Sequence, residues 1–129
     1  MRLYLDTAPV IYVVEQVDEY ADSIDERLNQ PDTVLITSQL TQLECRVKPV
    51  REANAELLRD YDEFFEEAVE EIVALSCAVI DRATHIRAHF NFKTPDAIHL
   101  AAAVEAKCEM FLTNDNTLTR FADLKVELV

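Results

Sequence analysis

The sequence predicts one α/β domain with helices on both faces of a parallel sheet. Short uncharged runs, β-branched or aromatic, alternate along the chain with longer segments of helical periodicity. Strands separated by helices pair in parallel through right-handed crossovers. The 129 residues are half apolar, enough for one core of ordinary domain size, and no repeat, low-complexity tract or linker-like stretch divides them.

Arg2-Leu3-Tyr4-Leu5 reads as a buried strand ending in the polar corner Asp6-Thr7. Pro9 sits where a helix can start, and Val10 to Val14 continue it. Residues 18 to 29 carry Tyr20, Ile24 and Leu28 at a spacing of four, an amphipathic helix that Pro31 closes. Thr33 to Thr37 form a second strand, after which Ser38 caps a short helix from Gln39 to Val47 that Pro49 interrupts. A long amphipathic helix is expected from Val50 to about Ala68, then a strand at Ile72 to Leu75 and a helix from Cys77 to about Phe92. Thr94 and Pro95 open an alanine-rich helix, Ala97 to Lys107, as N-cap and first helical residue. Met110 to Thr113 make a fourth strand, Asn116 to Phe121 a short helix, and Val126 to Leu128 an edge strand.

Average usage would place about nine glycines in such a chain, and there are none. This excludes sites that need a Cβ-free backbone near a ligand: the P-loop, the dinucleotide fingerprint, the EF-hand loop and the G-x-S-x-G elbow. Any chemistry must be carried by side chains. Twenty-five acids against twelve bases leave a net charge of −13, which repels phosphate backbones and membranes at long range. A bound divalent cation would reverse that locally. Cys45, Cys77 and Cys108 are odd in number and widely spaced, so buried reduced thiols are expected rather than a disulfide framework or zinc ribbon. The longest uncharged run, Thr33 to Leu43, has eleven residues, too few to span a membrane. Asp6 follows three apolar residues, so no signal peptide is expected and a cytoplasmic protein is.

Ligands of open parallel sheets bind at the carboxyl ends of the strands. Asp6 and Asp115 lie at two such ends, Asp96 opens the alanine-rich helix, and Glu44 lies in the helix after the second strand. Four gathered carboxylates repel one another unless a cation holds them. Oxygen-only ligands suit Mg²⁺ or Mn²⁺, the equipment of phosphodiester hydrolysis, in which metals activate water and stabilise the attacking and leaving oxygens. Each acid also has a plain reading, Asp6, Asp96 and Asp115 as helix caps and Glu44 as an exposed helical residue. Spacing alone leaves the choice open.

Leu3-Tyr4-Leu5-Asp6-Thr7, Leu43-Glu44, Lys93-Thr94-Pro95-Asp96-Ala97-Ile98-His99-Leu100-Ala101-Ala102-Ala103 and Phe111-Leu112-Thr113-Asn114-Asp115 resemble the successive motifs of PIN-domain ribonucleases, the VapC-type toxins of toxin–antitoxin pairs in particular. The resemblance spans nearly the whole chain. It implies a three-layer α/β/α fold with a mainly parallel sheet of about five strands, and a protruding helical segment over residues 48–71 used in dimer or antitoxin contacts. It further implies a Mg²⁺- or Mn²⁺-dependent endoribonuclease blocked by a VapB-like antitoxin whose carboxyl-terminal segment lies across the active groove. Carried over by position, Asp6, Glu44, Asp96 and Asp115 match the acidic quartet. Asp6, Asp96 and Asp115 would coordinate metal, Glu44 would orient water or serve as a further ligand, and Thr7 and Thr113 match hydroxyl positions beside the site. Two departures stand out: Ala8 replaces a small polar residue, and Lys107-Cys108-Glu109 makes a turn where relatives often place glycine.

Among the remaining residues, His85 and His89 have metal-like spacing, but Ile86 breaks the H-E-x-x-H pattern, so they read as surface or partly packed histidines. His99 shares the helical face of Asp96 and is expected to pack or to hydrogen-bond near the site rather than to ligate. Six acids between Asp62 and Glu71 form a solvated face or a dock for a basic partner segment. Arg46 and Lys48 follow Glu44 and Lys93 precedes Asp96, so these three are expected to hold RNA phosphates. The rival functions are a PIN nuclease of RNA maturation outside any toxin pair and a catalytically silent partner-binding module.

Overall fold

In a computed structural model that describes residues 1–129, five strands form one sheet in the order β3-β2-β1-β4-β5, every neighbouring pair parallel. The elements run β1 (Arg2–Leu5), α1 (Thr7–Val14), α2 (Ala21–Leu28), β2 (Val34–Ser38), α3 (Gln39–Arg51), α4 (Ala55–Glu67), β3 (Glu71–Val73), α5 (Cys77–Phe90), α6 (Thr94–Glu105), β4 (Met110–Thr113), a 3₁₀ helix (Asn116–Arg120) and β5 (Lys125–Leu128). No helix is long and apolar enough to cross a membrane.

The period-two alternation of the central strands builds the three layers. Tyr4, Ile36 and Phe111 face α5 and α6, where Leu100 to Ala103 are fully buried. Leu3, Leu5, Leu35, Met110 and Leu112 face the other way, onto Val10, Val13, Ile24, Cys45, Tyr61 and Phe65 of α1 to α4. The alanines let α6 lie close to the sheet face that carries Tyr4 and Phe111, which sets His99 3.6 Å from Asp6 Oδ1 at the end of β1. The expected strands at 2–5 and 110–113 stand as read. The third strand starts and ends earlier than expected, at Glu71–Val73, because it pairs only with the last three residues of β2.

Helix boundaries account for most corrections. α1 starts at Thr7 rather than Pro9, since Asp6 is its N-cap and Pro9 lies within the first turn, where no backbone N–H is needed. Pro49 does not interrupt α3, which continues to Arg51; the proline removes one helical bond, and its ring is buried near the helix end. The helix expected from Val50 to Ala68 is split instead, because Ala53 turns left-handed (φ 52°) and the Asn54 side chain accepts from the Leu57 N–H to start α4. Likewise the cap of α6 is Lys93, without a side-chain bond, and Thr94 and Pro95 fill its first two positions. α5 stops at Phe90 because Asn91 adopts φ 56°.

With no glycine, every left-handed turn is made by another residue: Gln16, Asp32, Ala53, Asn91 and Lys107. Lys107, at φ 57°, closes α6, and the Cys108 N–H bonds back to the Ala103 carbonyl. Such conformations cost about 1–2 kcal/mol in a residue with a Cβ. Cys45 and Cys108 are buried as expected, with burial the main cause holding both thiols well above their ordinary range; Cys77, expected buried, is exposed at the first position of α5.

Candidate active site

The carboxyl ends of β1 and β4 lie side by side, with Leu5 paired to Leu112 and the Asp6 N–H bonded to the Leu112 carbonyl at 3.0 Å. Asp6 leaves β1 here, nearly buried. Its Oδ1 caps α1 by accepting from the Thr7 N–H at 2.8 Å, and its Oδ2 accepts from the Thr113 hydroxyl at 2.7 Å. Thr113 in turn accepts from the Asp115 N–H at 3.1 Å, so one hydroxyl ties the two aspartate loops together. Asp115 caps the 3₁₀ helix through the N–H and hydroxyl of Thr117, at 2.9 and 2.8 Å. Asp96 lies in the first turn of α6. Capping and clustering therefore coexist at Asp6 and Asp115, whereas Asp96, read as a possible cap, makes no cap bond because Lys93 is the N-cap of α6.

Burial raises the Asp96 carboxyl above its ordinary 3.8, and the charges of Asp6 and Asp115 raise it further, against the pull of His99 and Lys93. Three of the four acids are thus electrostatic neighbours. Glu44 reaches the same edge from α3. Burial pushes its carboxyl up, but hydrogen bonds from His99 and Thr7 and the attraction of the His99 ring outweigh burial and leave it below its ordinary 4.5. The Thr7 hydroxyl donates to Glu44 Oε1 at 2.6 Å, and His99 Nε2 lies 2.6 Å from the same oxygen and 3.6 Å from Asp6 Oδ1. Of the hydroxyls singled out in the sequence, Thr7 bonds Glu44 and Thr113 bonds Asp6.

The donor chemistry of these residues, all carboxylate oxygen, is that of a hard dication. No three His, Cys, Asp or Glu side chains close into a ready ligand cage. The donors are carboxylate oxygens whose mutual repulsion the protein leaves partly uncompensated at Asp96. Mg²⁺ and Mn²⁺ suit such a set, Mg²⁺ in particular because it keeps several waters and takes only one or two carboxylates directly. A zinc site of closed N/S ligands is not what these residues offer.

Of the cations expected beside the pocket, Arg46 pairs with Asp62 at 3.3 Å and Lys48 with Glu15 at 3.6 Å. Lys93 acts on Asp96 itself and follows Phe92, whose carbonyl accepts from Arg87 at 2.5 Å and whose ring lies 4.3 Å from the Arg120 guanidinium. His85 and His89 are exposed on α5, as read. The acids of the 62–71 stretch are exposed as well, while Tyr61 and Phe65 anchor α4 to the core.

Sequence reasoning missed Tyr4. It is fully buried, its ring stacks on Phe111 at 5.1 Å, and its hydroxyl bonds His99 Nδ1 at 2.7 Å and Ser38 Oγ at 2.9 Å. The available signal was a phenol within a buried central strand, since a buried tyrosine hydroxyl requires a polar partner.

The sequence model of the PIN domain matches residues 3–124. No curated protein sequence matches the chain. Among solved structures, it is similar to VapBC2 from Rickettsia felis bound to a promoter DNA fragment, with a TM-score of 0.79 at 16% identity over 99% of this chain and 98% of that one. It is similar to VapBC-1 from nontypeable Haemophilus influenzae, with a TM-score of 0.79 at 19% identity over 98% and 97%. A third similar structure is Mycobacterium tuberculosis VapC20, a toxin that cleaves the sarcin-ricin loop, with a TM-score of 0.74 at 12% identity over 95% and 98%.

Proposed function

The chain belongs to the PIN-domain family, and from that premise we propose that it is a metal-dependent endoribonuclease of the VapC type, hydrolysing RNA phosphodiester bonds and held inactive by a VapB-like antitoxin. The observation that carries this reading is the meeting of Asp6, Asp96 and Asp115 at one sheet edge, with Thr113 joining two of them and Asp96 left under repulsion from both others. Bound there, Mg²⁺ or Mn²⁺ would supply an activated nucleophile and charge stabilisation at phosphorus. Asp6, Asp96 and Asp115 would hold the ion. Thr113 fixes the Asp6 carboxylate so that Oδ2 keeps its aim, and Glu44 accepts the attacking water's proton or orients that water.

Lys93 is the favoured phosphate anchor, since its charge already reaches Asp96. Arg46 and Lys48 would join it by releasing Asp62 and Glu15, an exchange that costs little because exposed ion pairs contribute only ~0–1 kcal/mol. For the partners, a groove of about 560 Å³ has an apolar floor of Val13, Leu28 and Phe64 and a rim of Asp25, Asp60, Glu63 and Glu67. That combination suits a basic amphipathic antitoxin segment. The exposed stripe Leu43, Val47 and Val50 on α3 suits a second copy of the chain, consistent with a homodimer. A cytoplasmic location accords with an RNA substrate.

Purified protein should cleave single-stranded RNA with Mg²⁺ or Mn²⁺ and lose the activity in chelator. Asp6→Asn and Asp96→Asn should each lower it by at least ~10³-fold. Cleavage that survives either substitution belongs to a contaminant and refutes the reading. The caps made by Asp6 and Asp115 favour one rival, the silent partner-binding module; folded, metal-binding protein without cleavage on any RNA offered would select it.

A further inference from the structure

His99 is buried in α6 one turn after Asp96, at 2% exposure, and both of its ring nitrogens are engaged. Nε2 is 2.6 Å from Glu44 Oε1, and Nδ1 is 2.7 Å from the Tyr4 hydroxyl. Tyr4 donates onward to Ser38 Oγ at 2.9 Å, and the tyrosine ring meets the imidazole edge-on at 5.9 Å. Packing alone does not call for a histidine here, because its neighbours along α6 are Leu100 and three fully buried alanines. An imidazole with a partner on each side has one ring orientation open to it.

The bonds to Glu44 fall on one of its two oxygens. His99 Nε2 and Thr7 Oγ1 both lie 2.6 Å from the same oxygen, Oε1, while the Glu44 side chain keeps 31% of its surface exposed. A glutamate on an open helix samples many rotamers; two short bonds to one oxygen select one of them and leave the other oxygen, Oε2, outside both. Nε2 also stands 3.6 Å from Asp6 Oδ1, so the ring spans the gap between two of the site's carboxylates. Through this chain β1, α6, α3 and α1 are joined at the reacting edge.

We infer that His99 and Tyr4 are positioning residues for Glu44: the imidazole, fixed on its far side by the Tyr4 hydroxyl, commits Oε1 and presents Oε2 to the attacking water. The inference rests on the nuclease reading for its catalytic part. Its geometric part can be read from the metal-free protein. The experiment compares full-length wild type with His99→Ala, His99→Gln, Tyr4→Phe and Glu44→Gln.

In ¹H–¹⁵N spectra of the metal-free wild type, a slowly exchanging downfield imidazole Nε2–H is expected. It should vanish in both His99 variants and shift in Tyr4→Phe and Glu44→Gln. On single-stranded RNA with Mn²⁺, His99→Ala should lower kcat by roughly 30–100-fold with KM within about twofold. His99→Gln, whose amide can donate to the same oxygen, should recover most of the loss, and Tyr4→Phe should lose about five- to tenfold. Should His99→Ala not fold, His99→Gln and Tyr4→Phe decide, because a residue that only packs would lose stability rather than kcat in them. Wild-type kcat in folded Tyr4→Phe together with no rescue by glutamine, or an N–H that ignores Glu44→Gln, overturns the inference. If the wild type cleaves no RNA, the nuclease reading fails separately, and the displacement of that N–H by Glu44→Gln alone upholds or overturns the positioning of the carboxylate.

Discussion

Glu44 and Asp96 face the same sheet edge from helices on opposite sides of the sheet, and the protein treats them in opposite ways. Around Glu44 it supplies donors: an imidazole, a hydroxyl and, behind them, a buried phenol, so that the carboxyl falls below its ordinary range despite burial. Around Asp96 it supplies further negative charge, and the carboxyl is raised by burial, Asp6 and Asp115. One corner is satisfied by the fold alone. The other is left unsatisfied, which a protein tolerates where a ligand completes the set. On the proposed reading the two corners do different work: the first would hold a side chain in one pose, and the second would await a cation.

Removing the hinge between the aspartate loops tests that division most severely. Thr113→Ala takes the donor from Asp6 Oδ2 and the acceptor from the Asp115 N–H in one step. Groups that orient metal-binding carboxylates typically account for ~10–100-fold in metal affinity. The expected outcome is a loss of that size in Mn²⁺ affinity, measured by electron paramagnetic resonance titration, while the imidazole N–H beside Glu44 stays where it is. An unchanged affinity would mean that Asp6 and Asp115 need no tie and that the demand at Asp96 is met some other way.

Much of this arrangement was legible in the sequence because it follows from topology. Asp6 and Asp115 could be read as strand-end residues as soon as β1 and β4 were recognised as buried parallel strands, whereas Thr113 was singled out only through the resemblance to PIN-domain motifs. The helix limits were less legible, since the capping bond of Asn54 and the left-handed turn at Ala53 compete locally with a continuous apolar stripe, and the stripe is the louder signal. Pro49 misled for the opposite reason: its penalty is confined to one bond near a helix end, and burial of the ring offsets it. The Tyr4 phenol called for a polar partner without saying which, because its partners are 34 and 95 positions away. His99 could be placed on the face of Asp96 by helical spacing, yet its principal partner lies on another helix, 55 residues back. Local chemistry can be read along a chain; a network that closes across four elements cannot.

Stability separates the corners with a smaller effect. Glu44→Gln exchanges charge-assisted bonds from His99 and Thr7 for neutral ones, so the metal-free protein should lose about 1 kcal/mol in denaturant unfolding at pH 7. The sign with pH follows from the direction of the shift. A carboxyl lowered below 4.5 in the folded state stabilises above that value and loses its contribution as pH falls through the folded value. The gap between wild type and Glu44→Gln should therefore hold at neutral pH and close only below about 4.5. A variant as stable as wild type at pH 7 would remove the claim that the fold alone satisfies this corner.

Asp96→Asn should do the reverse, by less. Deleting one charge from a repelling set relieves the metal-free fold, and because the group is only partly buried the gain at pH 7 should be about 0.5 kcal/mol. A carboxyl raised above 3.8 by folding destabilises at neutral pH, and the penalty fades as pH falls through its folded value towards the unfolded one, so the gain should fade over the same interval. Saturating Mg²⁺ should invert the order, since an ion that binds only the native state stabilises in proportion to the logarithm of its occupancy. Wild type gains that stabilisation, and Asp96→Asn gains little of it. A crossing of the two proteins, the variant more stable without Mg²⁺ and the wild type more stable with it, is the outcome that a mere helix cap at Asp96 cannot produce, because a cap lost to asparagine leaves the variant equal or weaker under both conditions.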